Sequence, residues 1–234
     1  MAQMQGDLSP AVLARTKLFG GLDVALLVAL RAAMHEVHFD SGQLIFSRGD
    51  SAKSIYVVLE GQVRISVLTA DGRELCFTHV LAGEVFGEIA VLDRSARSAN
   101  ATALTDVKVL SLSATDTDRF LVKYPALARA FMTFLCARLR EVSDHLENGA
   151  LLPIEARVAR YILDRLMGNT EPAKTNGKRC VSLGISQTEL ALLLGASRPK
   201  VNMALSALED CGAIRRIGKG IECDGDLLAE MAQR

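Results

Sequence analysis

The spacing of apolar residues changes rhythm twice along this chain. Over residues 8–32 they fall at Leu13, Leu18, Phe19, Leu22, Leu26, Leu27 and Leu30, a spacing that predicts short helices. From Val37 to Leu112 the runs shorten. Residues 43–46, 54–59, 62–67, 75–80 and 108–112 are rich in β-branched and aromatic residues. Turn signals divide them: Arg48-Gly49-Asp50, Glu60-Gly61, Asp71-Gly72 and Ala82-Gly83. Many short strands between regular turns predict a sandwich or barrel, with a hairpin at Asp71-Gly72.

Helical spacing then returns. Residues 116–122 predict a short helix, and Pro125 opens a long one that runs to about residue 146. Its Phe131, Leu135, Leu139, Val142 and Leu146 follow one another at steps of 4, 4, 3 and 4, an apolar stripe longer than a single barrel can cover. Such a stripe predicts a seam with a second copy of the chain. Asn148-Gly149 and Pro153 interrupt the pattern and predict a hinge over 148–152. A further helix is expected over 153–167, then a polar loop over 168–178, then a compact helical end with a short basic hairpin.

The C-terminal part carries a sharper signature. Ser186-Gln187-Thr188-Glu189 is a capping box that opens a helix filled by Leu190, Leu192, Leu193 and Leu194. Gly195-Ala196 gives a tight turn. Ser197 then caps a second helix that tolerates Pro199 in its first turn and buries Val201, Ala204, Leu205 and Leu208. Arg198, Lys200, Asn202 and Met203 fall on the other side. This is a helix-turn-helix pattern. Ile214-Arg215-Arg216-Ile217-Gly218-Lys219-Gly220-Ile221 alternates around a glycine turn like a basic wing. Arg198 suits a guanine edge, and Lys200 a phosphate or a nearby base.

At 234 residues the chain has room for two modest domains. Formal charge is zero, yet the stretch from Lys174 to Gly220 holds eight basic residues against three acidic ones, a net of +5. That local footprint suits nucleic acid. No apolar run reaches membrane-spanning length, and a cytoplasmic location without membrane contact is expected. Five scattered cysteines without a CxxC motif argue against a disulfide framework or a zinc site. Cys76 and His79 form the closest Cys/His pair, too few to complete a metal site. His35, His38, His79 and His145 show no grouping with carboxylates, which disfavours a metal-dependent enzyme on a barrel.

A second chemistry-bearing stretch is Phe86-Gly87-Glu88-Ile89-Ala90-Val91-Leu92, followed by Arg97-Ser98-Ala99. A glycine for close approach, a fixed carboxylate acceptor, a guanidinium and a hydroxyl suit a ribose-phosphate ligand. The stretch resembles the phosphate-binding cassette of cyclic-nucleotide-binding domains. With the long helix and the helix-turn-helix behind it, nearly the whole chain resembles the Crp/Fnr family of bacterial transcription regulators.

The resemblance implies an α+β fold. A cyclic-nucleotide-binding β-barrel of jelly-roll type would occupy residues 1–124 and a dimerisation helix 125–147. A hinge over 148–152 and a winged helix-turn-helix over 153–234 would follow. It implies a dimeric DNA-binding regulator, not an enzyme, controlled by cAMP or cGMP and using no metal. Gly87 and Glu88 would hold the ribose, Arg97 and Ser98 the cyclic phosphate, with Ile89, Ala90 and Ala99 completing the cassette. The base would meet Val142 and Ser143, where cAMP sensors of the family carry a Thr-Ser type pair. Valine cannot hydrogen-bond a base edge. A regulator of the same fold with no small effector, or with a non-nucleotide one, is therefore the alternative.

In the DNA helix, Arg198 matches the family's guanine-reading arginine. Pro199 and Met203 stand where glutamate and arginine are usual, so the operator should differ. Gln187 and Ser197 match phosphate-contacting positions, and Lys200, Asn202 and Lys219 complete the expected surface. Palindromic double-stranded DNA, a second copy of the chain and RNA polymerase are the expected partners. An iron–sulfur cluster is disfavoured, because no cysteine precedes Cys76.

Overall fold

The computed structural model describes residues 10–69, 72, 74–168, 173–175, 178–218 and 220–233. The chain divides into two compact units, Met1–Arg140 and Glu141–Arg234.

The first unit is a jelly roll of two four-stranded antiparallel sheets. One sheet orders β1 (His35–Phe39), β8 (Val107–Ser113), β3 (Ser54–Glu60) and β6 (Val85–Phe86). The other orders β2 (Leu44–Phe46), β7 (Asn100–Ala103), β4 (Val63–Leu68) and β5 (Glu74–Val80). Side chains alternate across each strand, so one face of β3 and β8 gives Val58, Val107 and Val109 to a core shared with Val63, Val80, Ala101 and Ala103. The opposite face of the same sheet gives Ile55, Val57, Leu110 and Leu112 to a second core.

Helices supply the rest of that second core. α1 (Ala11–Ala14) and α2 (Val24–Ala33) bring Leu13, Leu26, Leu27 and Leu30. α4 (Ala114–Lys123) brings Phe120, and the start of α5 (Pro125–Leu151) brings Leu127, Phe131 and Phe134. Ser113 caps α4 by accepting from the Asp116 amide.

The strands at 43–46, 54–59, 62–67, 75–80 and 108–112 all form, within a residue or two of the expected bounds. β4 and β5 pair across the expected hairpin, of which Gly72 is described with φ +80°. Cys76 and His79 lie buried on β5 as ordinary strand residues. β1, β6, β7 and the short α3 (Glu88–Leu92) are additional to the sequence reading.

α5 differs from expectation at its end. It continues through Asn148 and Gly149 to Leu151, where a stop near residue 146 and a hinge from 148 were predicted. One helical glycine costs only about 1 kcal/mol, which a 27-residue helix absorbs. The break falls at Leu152 and Pro153, because proline has no amide donor and disfavours helix in the residue before it. Arg160 braces this junction, donating from Nη1 to Asn148 Oδ1 and from Nε to the Ala232 carbonyl at 2.8 Å.

The second unit packs α6 (Ile154–Gly168), α7 (Gln187–Leu193), α8 (Arg198–Asp210) and α9 (Gly225–Met231) around one core with Ile162, Leu190, Val201, Leu205, Leu208 and Leu228. A sheet ordered β11 (Ile214–Ile217), β12 (Gly220–Cys223), β10 (Lys178–Val181) and β9 (Ala173–Thr175) closes it. Two expectations are corrected. Within the predicted loop 168–178, residues 173–175 form a strand, because they pair in register with Lys178, Arg179 and Cys180. The expected basic hairpin forms but is followed by a further helix, since Asp224 accepts from the amides of Asp226 and Leu227 and starts α9. Among the described residues no single helix is long and apolar enough to cross a membrane.

Candidate ligand pocket and nucleic-acid interface

The Gly-Glu…Arg-Ser cassette is assembled between β6 and β7. Gly87 adopts φ +77°, a left-handed turn that ends β6 and starts α3. Glu88 and Ala90 then face inward, whereas Ile89 faces solvent. The chain returns through Arg94, a non-glycine residue at φ +56°, to Arg97. Two backbone hydrogen bonds pin Arg97 to the loop after β2. Its amide donates to the Asp50 carbonyl at 2.8 Å, and its carbonyl accepts from the Gly49 amide at 2.9 Å.

The Arg97 side chain is only 4% exposed. Its Nη1 donates to the Gly87 carbonyl and its Nη2 to the Ser54 carbonyl, both at 2.6 Å. The guanidinium lies 4.1 Å above the centroid of the Phe46 ring. Phe46 stacks in turn with Tyr56 and Phe86. Burial lowers the guanidinium's proton affinity, opposed by Tyr56, Glu88 and Asp50, yet an arginine keeps its charge at any physiological pH. Glu88 is also buried. Burial pushes its carboxyl up from the ordinary range, while its own backbone amide, Arg138 and Arg97 pull it back. One carboxylate and one guanidinium thus share a low-dielectric site.

Two observations fit a phosphate-bearing ligand here. The Arg97 Nε–H is buried with no hydrogen-bond partner, an unusual state for a charged donor. A side chain at Gly87 would put Cβ 2.7 Å from Arg97 Nη1, so glycine keeps the guanidinium's place clear. Ser98 is exposed next to Arg97, and Ala99 is buried. Gly87, Glu88 and Arg97 are brought together as the sequence predicts. Val142 and Ser143 lie on α5 within the second unit, both exposed. What sequence reasoning missed is the aromatic support. Phe46 and Tyr56 come from β2 and β3, and no local spacing ties them to Arg97. A groove of about 500 Å³ lies nearby, lined by Ala90, Val91, Arg94, Ser95 and Asp118, and it excludes Glu88 and Arg97.

In the second unit Ser186 caps α7 as predicted, its Oγ accepting from the Glu189 amide at 3.1 Å. Gly195 turns the chain at φ +58°. Ser197 takes the N-cap position of α8 but its side chain makes no capping hydrogen bond there, which leaves the hydroxyl at the surface. Val201, Ala204, Leu205 and Leu208 are buried, and Arg198, Pro199, Lys200, Asn202 and Met203 are exposed. Gln187 is half-buried at the start of α7.

The wing forms from β11 and β12, with Ile217 paired to Gly220; Lys219 lies outside the described residues. Arg216 is turned back rather than outward. Its amide and its Nε donate to the Glu209 carboxylate at 3.1 and 2.8 Å, so α8 holds the wing by a bidentate bridge. Those bonds also hold the Glu209 carboxyl below the usual range.

A jelly roll joined in one chain to a winged helix-turn-helix defines a class of transcription regulator. Comparison with known proteins gives the family. Residues 36–124 match the cyclic nucleotide-binding domain and residues 156–231 the Crp-like helix-turn-helix domain. The chain is 32% identical over 182 residues to the cyclic AMP receptor protein of Thermus thermophilus, across 78% of this chain and 80% of that one. It is 29% identical over 223 residues to a CRP-like cAMP-activated global transcriptional regulator of Mycobacterium tuberculosis, across 95% and 99%. The solved structure of FixK2 from Bradyrhizobium japonicum shares the fold with a TM-score of 0.75 at 22% identity, across 85% of this chain and 96% of that one. The protein belongs to the CRP/FNR family of transcription regulators.

Proposed function

We propose that this protein is a homodimeric, sequence-specific DNA-binding transcription regulator controlled by a cyclic nucleotide, cAMP or cGMP. The observation that carries the effector is the buried Arg97 with its unpartnered Nε beside the buried Glu88. Glu88 accepts from the ribose 2′-hydroxyl, Arg97 and Ser98 hold the cyclic phosphate, and Val142 and Ser143 meet the base. Gly87, Ile89, Ala90 and Ala99 shape the cassette around them.

Two chains pair along α5. Leu139, Val142 and Leu146 continue its apolar stripe at 67%, 53% and 70% exposure, beyond the part that the barrel core covers. The nucleotide shifts the dimer between two helix arrangements by its differential affinity for them. The break at Leu152 and Pro153 serves as the hinge, so the sensor spans 1–124, the dimer helix 125–151 and the DNA-binding domain 153–234. The two recognition helices read palindromic DNA at half-sites about 34 Å apart. RNA polymerase is the partner at the promoter.

A second reading has a specific observation behind it. Each Nη of Arg97 already donates to a protein carbonyl, one to Gly87 and the other to Ser54, and Val142 offers a base no hydrogen bond. This favours a regulator of the same fold that needs no nucleotide. Titration calorimetry of the whole protein with cAMP and cGMP separates the two. Saturable binding that disappears in Arg97→Ala supports the sensor. Tight operator binding with no heat from either nucleotide overturns it in favour of the second reading.

A further inference from the structure

The centre of the recognition surface is apolar. On α8 the buried side chains are Val201, Ala204, Leu205 and Leu208. At 3.6 residues per turn, the direction opposite that stripe runs through Pro199 and Met203, one turn apart. Both are exposed, Met203 at 69%. Arg198 and Asn202 flank them on one side and Lys200 on the other, all exposed. The helix therefore presents a ridge of two hydrophobic side chains inside a polar rim.

A ridge of that kind can read little in the major groove. The base edges there are hydrogen-bond donors and acceptors, with one apolar exception, the thymine C5-methyl. Proline and methionine side chains donate nothing to nitrogen or oxygen acceptors. Set against a guanine or adenine edge, they would strip water from polar atoms and return no hydrogen bond. Set against a thymine methyl, they bury apolar surface on both partners. Methionine has three rotatable bonds with which to reach the methyl.

We propose that Met203, supported by Pro199, is a specificity-determining residue that reads the C5-methyl of a thymine in each operator half-site. Arg198 and Asn202 flank that contact with the hydrogen-bonding chemistry suited to guanine and adenine. This inference rests on the DNA-binding reading above.

The experiment begins with selection of operators from random duplexes by the full-length protein, with and without cAMP and cGMP. Each half-site thymine is then replaced by deoxyuridine, which removes the methyl and nothing else. In the wild-type protein one thymine per half-site should show a loss of about fourfold, the value of one buried methyl. In Met203→Ala the same replacement should have no effect, while the loss caused by changing the guanine opposite Arg198 stays unchanged. A wild-type protein indifferent to deoxyuridine at every position overturns the inference and leaves DNA recognition standing. So does a methyl effect of undiminished size in Met203→Ala. Selection that enriches no sequence under any condition overturns the DNA-binding reading and this inference with it.

Discussion

Gly87→Ala tests how the cassette is held together. An added methyl stands 2.7 Å from Arg97 Nη1 and 3.4 Å from Phe46 Cε1. The backbone at φ +77° already costs a residue with a Cβ about 1–2 kcal/mol. To make room, the guanidinium must leave the Gly87 carbonyl. The loss of a hydrogen bond from a charged, buried donor costs about 1.5–3 kcal/mol more. The substitution should therefore destabilise the first unit by about 2.5–5 kcal/mol. In an Arg97→Ala background the obstructing nitrogen is gone, and only the backbone strain of about 1–2 kcal/mol remains.

The four proteins form a double-mutant cycle, with a coupling energy of about 1.5–3 kcal/mol expected between the two sites. Urea unfolding followed by circular dichroism measures each corner, and a constant denaturant slope shows that the unfolded state has not changed. An equal cost for Gly87→Ala in both backgrounds would refute the reasoning. It would mean that Arg97 moves aside freely and that the two carbonyls do not hold it.

Three further outcomes follow from the same geometry. Glu88 has a folded pKa raised by burial, and such a carboxyl stabilises most below its unfolded pKa and loses that contribution as pH rises to the folded value. Glu88→Gln should thus gain stability relative to wild type as pH rises from about 4 to 8 while nucleotide affinity falls, and a stability difference flat with pH would sink this account. Leu139→Asp combined with Leu146→Asp places charges on the exposed stripe and should yield a monomer by sedimentation; an intact dimer would move the seam elsewhere. Glu209→Ala releases Arg216 toward DNA and should steepen the salt dependence of non-specific binding by about one unit of slope, measured by fluorescence anisotropy. An unchanged slope would mean that Arg216 reaches phosphate despite its bridge.

The parts of this fold that a sequence reading misses share a physical cause. β7 reads Asn-Ala-Thr-Ala, and the residues it buries are alanines too small to stand out as an apolar rhythm. β1 reads His-Glu-Val-His-Phe and is nowhere fully buried, so its alternation is blurred by polar side chains. The helix-turn-helix was legible because the Ser186 cap, the Gly195 turn and the buried stripe of α8 are local. The setting of Arg97 was not legible, because its partners are a ring and a carbonyl more than 40 residues away in sequence. The wing's bridge was hidden for a related reason. Glu209 and Arg216 sit seven residues apart across a turn, a spacing that no helix or strand period brings together.

The way Arg97 is held bears on how a nucleotide could act. Each Nη already donates one N–H to a carbonyl, of β3 and of the turn before α3. A phosphate that displaced one of those carbonyls would gain only the difference between a carbonyl and an anionic oxygen, whereas Nε and the second N–H of each Nη could donate without that exchange. Drawing the guanidinium toward an anion would loosen its hold on the Gly87 carbonyl at the start of α3, whose Glu88 also feels the charge of Arg138 on α5. A ligand bound in that way would thus disturb the electrostatic tie between the cassette and the helix along which two chains are proposed to pair. A sensor needs that coupling, because a ligand that leaves such a tie unaltered shifts no equilibrium.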